Sequence, residues 1–427
     1  MRAQVAPLVL ALATLIGGIF VAGCRRSGET LGASGKPRLV FAHQPMWGDP
    51  APLRALLDDF ARSHPDVELV EQILPSGSEV LHQHLLTTLD AGGDTLDVFV
   101  ADIVWIPELA RAGFVDDLSD VAPEEALRRD DLPGVVDAVT VGGKTFAMPW
   151  YVDVGILYYR TDLVPRAPRT WDELVSMAQD AQRRDPTLRG YLFQGRQYEG
   201  LVCNALEMVW GFGGNDLHDG RVLIDTKESR AALSFMRTLV TSGVSPPSVT
   251  SAAEEDARRV FQDGRAVFMR NWPYAWAEAQ RPGSKIAGRV GFSALPTTSG
   301  QPGAGTLGGW QLAVRAGLSP SKRALARELV LQLSSHDASV MLAVEYARLP
   351  ARRAVYDDPR VQQGAPFISA LLPIALAARP RPPTPYYVMI SDVLQSELSA
   401  IVSGIRSPEE ALPRAQALID HVTGVTP

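Results

Sequence analysis

In the first part of the chain, stretches with a strand-like pattern of apolar residues alternate with stretches in which apolar residues recur at helical spacing. Residues 36–42 and 67–73 are interpreted as strands, and the short apolar run at 96–100 as another. Between the first two strands, residues 50–62 place apolar side chains at helical spacing, and another amphipathic helix begins near Ile106. The order strand, helix, strand, helix, strand predicts an α/β fold with a parallel sheet covered by helices on both faces.

Several later helices have predicted starts that are marked by capping residues. Thr170 and Glu173 have the T-x-x-E spacing of a capping box. Ser319 and Ser407 each precede a proline, the arrangement of an N-cap followed by a proline at the first helical position. Pro413 falls inside the helix that begins at Ser407, where it should kink that helix or delay its regular start.

The N-terminal apolar run predicts an export signal. Residues 5–20 form a run of about 16 apolar or small residues, shorter than the roughly 20 that a membrane span needs. The run ends in Val-Ala-Gly-Cys, which resembles the bacterial lipobox and implies that Cys24 is lipidated after 1–23 are removed. Residues 24–36 are small and polar and suit a flexible tether. The alternative is an ordinary export signal with an incidental cysteine.

Composition limits the class of protein. About 400 residues remain after the signal, more than the 250–300 at which one core stops growing, so two lobes are expected. The formal charge of −7 becomes −8 without Arg2, which argues against a nucleic-acid partner. Cys203 is the only cysteine besides Cys24, and the seven histidines lack metal-ligand spacing, so we expect no disulfide, metal or cofactor.

Seven stretches, in the same order along the chain, resemble one protein family. They are similar to the extracellular solute-binding proteins of bacterial ABC importers, specifically to the trehalose/maltose-binding branch of the maltose-binding-like family. The stretches are residues 96–120, 144–163, 168–179, 198–203, 261–276, 305–314 and 384–398.

The resemblance implies a hinged fold of two α/β lobes with the ligand in the cleft between them. It places 37–147 with 293–347 in the first lobe, and 148–292 with 348–427 in the second. It also implies a monomer without catalysis, anchored outside the membrane by lipid, which delivers its ligand to a permease. No GxxxxGK[ST] phosphate loop occurs, so ATPases on other chains would supply the energy.

Sugar recognition needs hydrogen-bonding groups for the hydroxyls and flat rings for the C–H faces. Asp102 follows a predicted strand at the edge where parallel sheets bind ligands, although it could equally cap the next helix. Tyr151 and Asp153 lie two apart in an extended segment, which puts both side chains on one side. We therefore expect all three to contact the ligand.

Aromatic candidates match the stacking positions that the resemblance implies. Asn271 and Trp272 follow a predicted strand at 265–269. Trp310 follows Gly308 and Gly309, where missing side chains let a ligand approach the backbone. Burial in the core is the alternative for each tryptophan.

The remaining candidates each have a competing interpretation. Arg381 offers a planar fork of donors in a proline-rich connector, but Arg379 could occupy the cleft instead. The resemblance places Gln44, Trp47 and Asp49 in a sugar-contact region, and of these we expect Gln44 and Asp49 to bind, although Asp49 before Pro50 could instead be a helix cap. Glu199 could reach the cleft or lie on the surface.

These residues suit a compact neutral sugar, and the branch of the family favours an α-linked disaccharide, trehalose first and maltose next. The alternatives within binding proteins are another polyol, glycerol phosphate or an oligosaccharide. The alternative from another class is a lipid-anchored glycoside hydrolase, in which two of Asp102, Asp153 and Glu199 would act as acid and nucleophile.

Overall fold

The computed structural model describes residues 32, 35–46, 48–92, 95–218 and 221–424. The predicted signal segment, Cys24 and Trp47 lie outside these residues. Within them, no helix has both the length and the apolar character needed to cross a membrane.

The strands form two main sheets, one for each lobe. The larger sheet has the order β14-β6-β13-β3-β1-β2, with β15 paired to β13, and the smaller has the order β12-β7-β11-β8. The pairs β4-β5 and β9-β10 form small hairpins. The strands are β1 Arg38–His43, β2 Glu68–Ile73, β3 Val98–Asp102, β4 Thr140–Val141, β5 Lys144–Thr145, β6 Met148–Val154, β7 Ile156–Arg160, β8 Arg189–Leu192, β9 Leu217–His218, β10 Arg221–Val222, β11 Ala266–Asn271, β12 Val290–Ser293, β13 Thr306–Val314, β14 Leu349–Pro350 and β15 Arg379–Pro380.

Helices cover both sheets. The C-terminal helices α16 and α17 pack on each other and on α8, whereas α11 packs on the central strands of the larger sheet. The helices are α1 Ala51–Ser63, α2 Ser78–Asp90, α3 Ile106–Arg111, α4 Glu124–Asp130, α5 Pro133–Val139, α6 Trp171–Arg184, α7 Glu199–Gly211, α8 Lys227–Thr241, α9 Glu254–Gln262, α10 Tyr274–Gln280, α11 Pro320–Leu333, α12 His336–Tyr346, α13 Pro359–Gly364, α14 Pro366–Ala370, α15 Leu372–Leu376, α16 Tyr387–Val402 and α17 Pro408–Thr423.

The α/β prediction is confirmed, but the sheets are mixed rather than parallel. Strand β1 runs parallel to β2 and β3, as its apolar run predicts. Strand β13 then enters antiparallel to both β3 and β6, and β7 runs antiparallel to both neighbours in the smaller sheet. The antiparallel strands reach the sheets from distant parts of the chain, which local periodicity does not report.

The chain passes between the sheets beside Gly155. Strand β6 pairs with β13 in the larger sheet, so the chain leaves that sheet seven residues later than the predicted boundary at 148. Two further passages adjoin this one, because the Gly155 N–H donates to Thr306 O at 3.3 Å and the Arg379 N–H donates to Gly305 O at 2.9 Å. The predicted lobe boundaries themselves stay a prediction.

Capping chemistry differs among the predicted helix starts. Thr170 Oγ1 accepts from the Glu173 N–H, but the Glu173 carboxylate accepts from the Arg169 N–H and pairs with Arg166. That half of the capping-box prediction is wrong, because a nearby guanidinium draws the carboxylate away. At the last helix, Ser407 and Glu410 do form a reciprocal box, and α17 continues through Pro413.

Candidate functional site

A cavity of about 350 Å³ lies between the two sheets and is lined from both. Eight of the ten predicted ligand-binding residues line it: Gln44, Asp102, Tyr151, Asp153, Trp272, Gly309, Trp310 and Arg381. Residues separated by more than 300 positions in the sequence therefore meet in one site, as the resemblance implies.

Strand β13 organises the wall that the larger sheet contributes. Trp310 lies opposite Asp102 on β3 and opposite Tyr151 on β6, and Gly308 lies opposite Asp153. Gly309 has φ 121°, and a Cβ there would lie 2.4 Å from the Tyr151 carbonyl oxygen, so the close approach of these strands requires glycine. The pairing register thus sets the acidic, phenolic and indole side chains next to each other.

Asp153 is the buried acid of this wall. Its side chain is 8% exposed, and Oδ1 is buried without a hydrogen-bond partner among the described residues. Burial raises the pKa of the carboxyl to about 6, and the Arg348 guanidinium opposes that rise. Asp153 lines the cavity, and a desolvated carboxylate whose lone pairs are not all used is suited to accept a ligand hydroxyl.

Arg381 joins the two walls. Its guanidinium donates to Asp102 Oδ1 at 3.1 Å and to Glu199 Oε1 at 2.7 Å, and its side chain is 2% exposed. Arg379 points the other way, stacks over Trp210 and pairs with Asp216. Residues two apart in an extended segment start on the same side, but these two long side chains end in different places. Only Arg381 lines the cavity, which answers the question of register that the sequence leaves open.

Glu199 reaches the cavity instead of lying on the surface. It begins α7 and accepts hydrogen bonds from Arg381, Tyr387 and Ser391, while its own N–H donates to Glu79 Oε1 at 3.1 Å. Glu79 begins α2 beside the larger sheet, so this contact also spans the two sides of the cavity.

Trp272 lies in the facing wall, but Asn271 does not. Strand β11 extends through Asn271, which is fully buried, donates to Glu254 O at 3.2 Å and accepts from the Trp272 N–H at 2.8 Å. The prediction that Asn271 contacts the ligand is therefore not supported by its position: the strand ends two residues later than the apolar run indicates. Asn271 instead holds the backbone beside Trp272.

Asp49 also lies outside the cavity. Its side chain is exposed and accepts from the Ala51 N–H at 2.9 Å, and its carbonyl accepts from the Tyr346 hydroxyl at 2.7 Å. Asp49 therefore acts at the start of α1, but the N-cap prediction is wrong by one position: the N-cap is Pro50, and Asp49 precedes it. Gln44, five residues earlier, lines the cavity and donates weakly to Ser76 O.

The structure adds lining residues that the sequence analysis does not single out. Arg348 stacks over the Tyr151 ring at 4.8 Å, and Glu254 accepts from Trp272 Nε1 at 3.3 Å. The others with polar side chains are Ser76, Ser78, Glu79, Arg196, Tyr198, Glu255 and Tyr274. Most lie at helix starts or in loops, where the sequence carries no periodic signal.

Chemically, the cavity combines charged acceptors, guanidinium donors and two indole rings. Such a set can hydrogen-bond the hydroxyls of a polyhydroxylated ligand and stack on its C–H faces. Among the described residues, no group of three or more His, Cys, Asp or Glu side chains is placed to hold a metal ion.

Comparison with known proteins agrees with this geometry. The family model described as bacterial extracellular solute-binding protein matches residues 47–334. A probable ABC transporter-binding protein of Deinococcus radiodurans is 37% identical over 350 residues, which cover 79% of this chain and 82% of that protein. A mannitol-binding protein of Pseudomonas aeruginosa is 26% identical over 391 residues, covering 84% of this chain and 86% of its own length.

Among solved structures, maltose-bound MalE3 of T. maritima is similar over 90% of this chain and 99% of its own, with 38% identity and a TM-score of 0.83. The family match covers more than half of the chain, and the Deinococcus relative is similar over most of its length. The chain therefore belongs to the bacterial extracellular solute-binding protein family and has the two-lobed α/β fold of maltose-binding proteins.

Proposed function

We propose that this protein is the substrate-binding component of an ABC sugar importer and that it captures an α-linked disaccharide, trehalose in preference to maltose. One observation carries the proposal: Trp272 and Trp310 line one cavity together with Asp102, Asp153 and Arg381. Rings for the sugar faces and charged groups for the hydroxyls are thus present together. The volume of about 350 Å³ falls at the small end of ligand sites, which suits a compact ligand.

The relatives support the ligand class. The T. maritima protein was solved with maltose bound, and it shares more than a third of its residues with this chain. The Pseudomonas mannitol-binding protein favours a second candidate, a linear polyol, which would need the same hydroxyl acceptors but less ring stacking. The two candidates therefore differ in how much they depend on the tryptophans.

Ligand capture would close the two lobes around the sugar. The passages beside Gly155 and Gly305 allow a hinge, and a ligand shifts the balance toward closure by its greater affinity for the closed form. Small-angle scattering should show a smaller radius of gyration with trehalose. An unchanged profile at saturation would contradict closure.

Export and anchoring complete the proposal. A lipid on Cys24 would hold the monomer at the outer face of the membrane near its permease. The Cys24→Ser variant should lose acylation and leave the membrane fraction. Retention of that variant in the membrane after a carbonate wash would contradict the anchor.

The ligand is tested by titration calorimetry of delipidated protein with trehalose, maltose, sucrose, glucose, maltotriose, mannitol and glycerol phosphate. We expect trehalose to bind most tightly, followed by maltose. A response only to maltotriose would reject the compact-disaccharide proposal, and a response only to glycerol phosphate would reject a neutral ligand. Free glucose released from trehalose, or nitrophenol from a nitrophenyl glycoside, would instead indicate a hydrolase.

A further inference from the structure

The indole ring of Trp272 rests on a buried cation. The Arg270 guanidinium lies 3.9 Å from the ring centroid, and the Arg270 side chain is fully buried. Arg270 and Trp272 are two apart at the end of β11, so both point to the same side of the strand. Arg270 does not line the cavity, which makes it a support under the ring and not a ligand contact.

The guanidinium is itself fixed from several directions. Its Nε donates to Glu207 Oε2 at 2.8 Å, its Nη2 donates to Glu207 Oε1, and its Nη1 donates to Gln194 Oε1 at 3.3 Å. Gln194 returns a hydrogen bond to the Arg270 carbonyl at 3.0 Å and accepts from Asn204 at 3.0 Å. A bidentate pair with these additional bonds leaves the cation one position and one orientation.

The surrounding backbone is shaped to admit this pair. Glu207 Oε1 also accepts from the Thr306 N–H at 2.9 Å, at the start of β13. A Cβ on Gly155 would overlap both Glu207 Oε1 and Arg270 Nη2. The ion pair therefore lies directly beside the passages between the lobes and directly beneath the cavity wall.

Stability alone does not account for such a pair. Two charges taken out of water cost free energy that their attraction barely offsets, and apolar side chains of similar size often stabilise a fold equally well. A cation held against an aromatic face, by contrast, fixes the position of the ring and attracts its electron-rich face.

We propose that the Arg270–Glu207 pair is a positioning device for Trp272. It covers one face of the indole and leaves only the opposite face for a ligand, while the Nε1 bond to Glu254 fixes rotation of the ring. Arg270 is thus a specificity-determining residue that acts through Trp272. The link to sugar affinity rests on the proposed function, whereas the positioning of the ring does not.

The test removes both charges together, because either charge left alone would be buried without a partner. Arg270→Met with Glu207→Gln keeps an amide oxygen for the Thr306 N–H. The matched control is Lys322→Met with Asp97→Asn, at a buried pair outside the cavity in which Asp97 likewise accepts a backbone N–H, from Val40 at 2.8 Å. Both double variants are first compared with the wild type in thermal unfolding.

The first readout needs no ligand. Protein labelled with 5-fluorotryptophan gives a fluorine resonance for Trp272, assigned by its loss in Trp272→Phe. We expect this resonance to broaden or split in the Arg270/Glu207 variant and to stay narrow in the Asp97/Lys322 control. A single line of wild-type width in the Arg270/Glu207 variant would overturn the proposal, whether or not the protein binds sugar.

The second readout is trehalose affinity in a double-mutant cycle with Trp272→Ala. Removing the pair should weaken binding about tenfold when Trp272 is present, the magnitude of one cation–π contact, and should change affinity little when it is absent. An equal loss in both backgrounds would show that Arg270 does not act through Trp272. Absence of trehalose binding by the wild type would count against the proposed function, and the fluorine spectrum alone would then decide the positioning role.

Discussion

Two buried carboxylates lie on opposite sides of the cavity, Asp153 in its lining and Glu207 behind it, and they differ in how many hydrogen bonds they accept. Asp153 on the larger sheet has a buried oxygen without a partner among the described residues, and its pKa is raised to about 6. Glu207, behind the smaller sheet, accepts from both nitrogens of the Arg270 fork and from the Thr306 N–H. The protein satisfies one acid completely and leaves the other available to a ligand.

The comparison separates residues that build the site from residues that bind in it. A fully paired charge has nothing left to offer a ligand, and loss of its partner damages the fold. An unpaired charge facing the cavity costs stability in the free protein, and its removal damages binding instead. Substitutions in the Arg270–Glu207 pair should therefore lower stability, whereas substitution of Asp153 should weaken ligand binding.

The largest effect is expected when the buried Arg270–Glu207 pair loses one partner. Arg270→Ala leaves Glu207 buried without its cation and should lower the free energy of unfolding by about 3–5 kcal/mol. Urea denaturation measures this loss. Arg265→Ala, which breaks an exposed pair with Asp263, should cost at most about 1 kcal/mol. Equal midpoints for the two variants would remove the distinction between the walls.

The next largest effect is expected for the indole of Trp310, in the cavity wall that the larger sheet contributes. Trp310→Ala should weaken trehalose binding by about 2–4 kcal/mol, as truncation of a central aromatic anchor does. Trp276→Ala is the matched control, because Trp276 stacks on Phe367 outside the cavity. Calorimetry should give near-native affinity for the control only. Native affinity in Trp310→Ala would place the ligand elsewhere.

The unpaired acid should affect binding and stability with opposite signs. Asp153→Asn should weaken trehalose binding by about 1–3 kcal/mol, because a hydroxyl loses its charged acceptor. The same variant should unfold no earlier than the wild type at pH 7, since a desolvated charge has been removed. A lower unfolding midpoint with unchanged affinity would assign Asp153 to the fold and not to the ligand.

Acidification should produce the same opposition in the wild type. The pKa of Asp153 is about 6 in the folded protein and its ordinary value is 3.8, so between these values the folded state binds a proton that the unfolded chain does not. This group therefore adds stability as pH falls from 7 toward 4, and trehalose affinity falls by up to about tenfold per unit below pH 6. Both trends should be reduced in Asp153→Asn, which serves as the reference at each pH.

The smallest effect is expected at Asp49, outside both walls. Asp49→Ala should leave trehalose affinity unchanged and cost about 0.5–1 kcal/mol of stability, because it removes a helix-start hydrogen bond to the Ala51 N–H. A tenfold loss of affinity with native stability would return Asp49 to the site.

The wall on the larger sheet follows from the sequence because strand alternation fixes side-chain direction. Tyr151 and Asp153 share a side for that reason, and Asp102 ends a strand that an apolar run identifies. Asn271 shows the limit of this reasoning, since the strand continues two residues past its predicted end and the Asn271 side chain is buried in the core.

The Arg270–Glu207 pair could not be predicted from the sequence, because only the tertiary fold brings the two residues together. Glu207 lies within an almost wholly buried helix, where the apolar pattern hides it, and Arg270 looks like the polar end of a strand. Arg348 follows Ala347, which has a left-handed backbone conformation. No glycine or asparagine marks that turn in the sequence. Opposite charges 63 positions apart carry no mark of being partners until the sheets are assembled.

The three passages between the sheets also constrain how the molecule can move. They lie side by side at Gly155, at Gly305 and at Arg379, linked by backbone hydrogen bonds of 3.3 and 2.9 Å. Rotation about their common line needs torsional changes at only a few residues, whereas sliding one sheet along the other would break these bonds. For the closure proposed above, such a joint would be compliant in bending and stiff in shear, and the two tryptophans would return to the same relative position each time the lobes close.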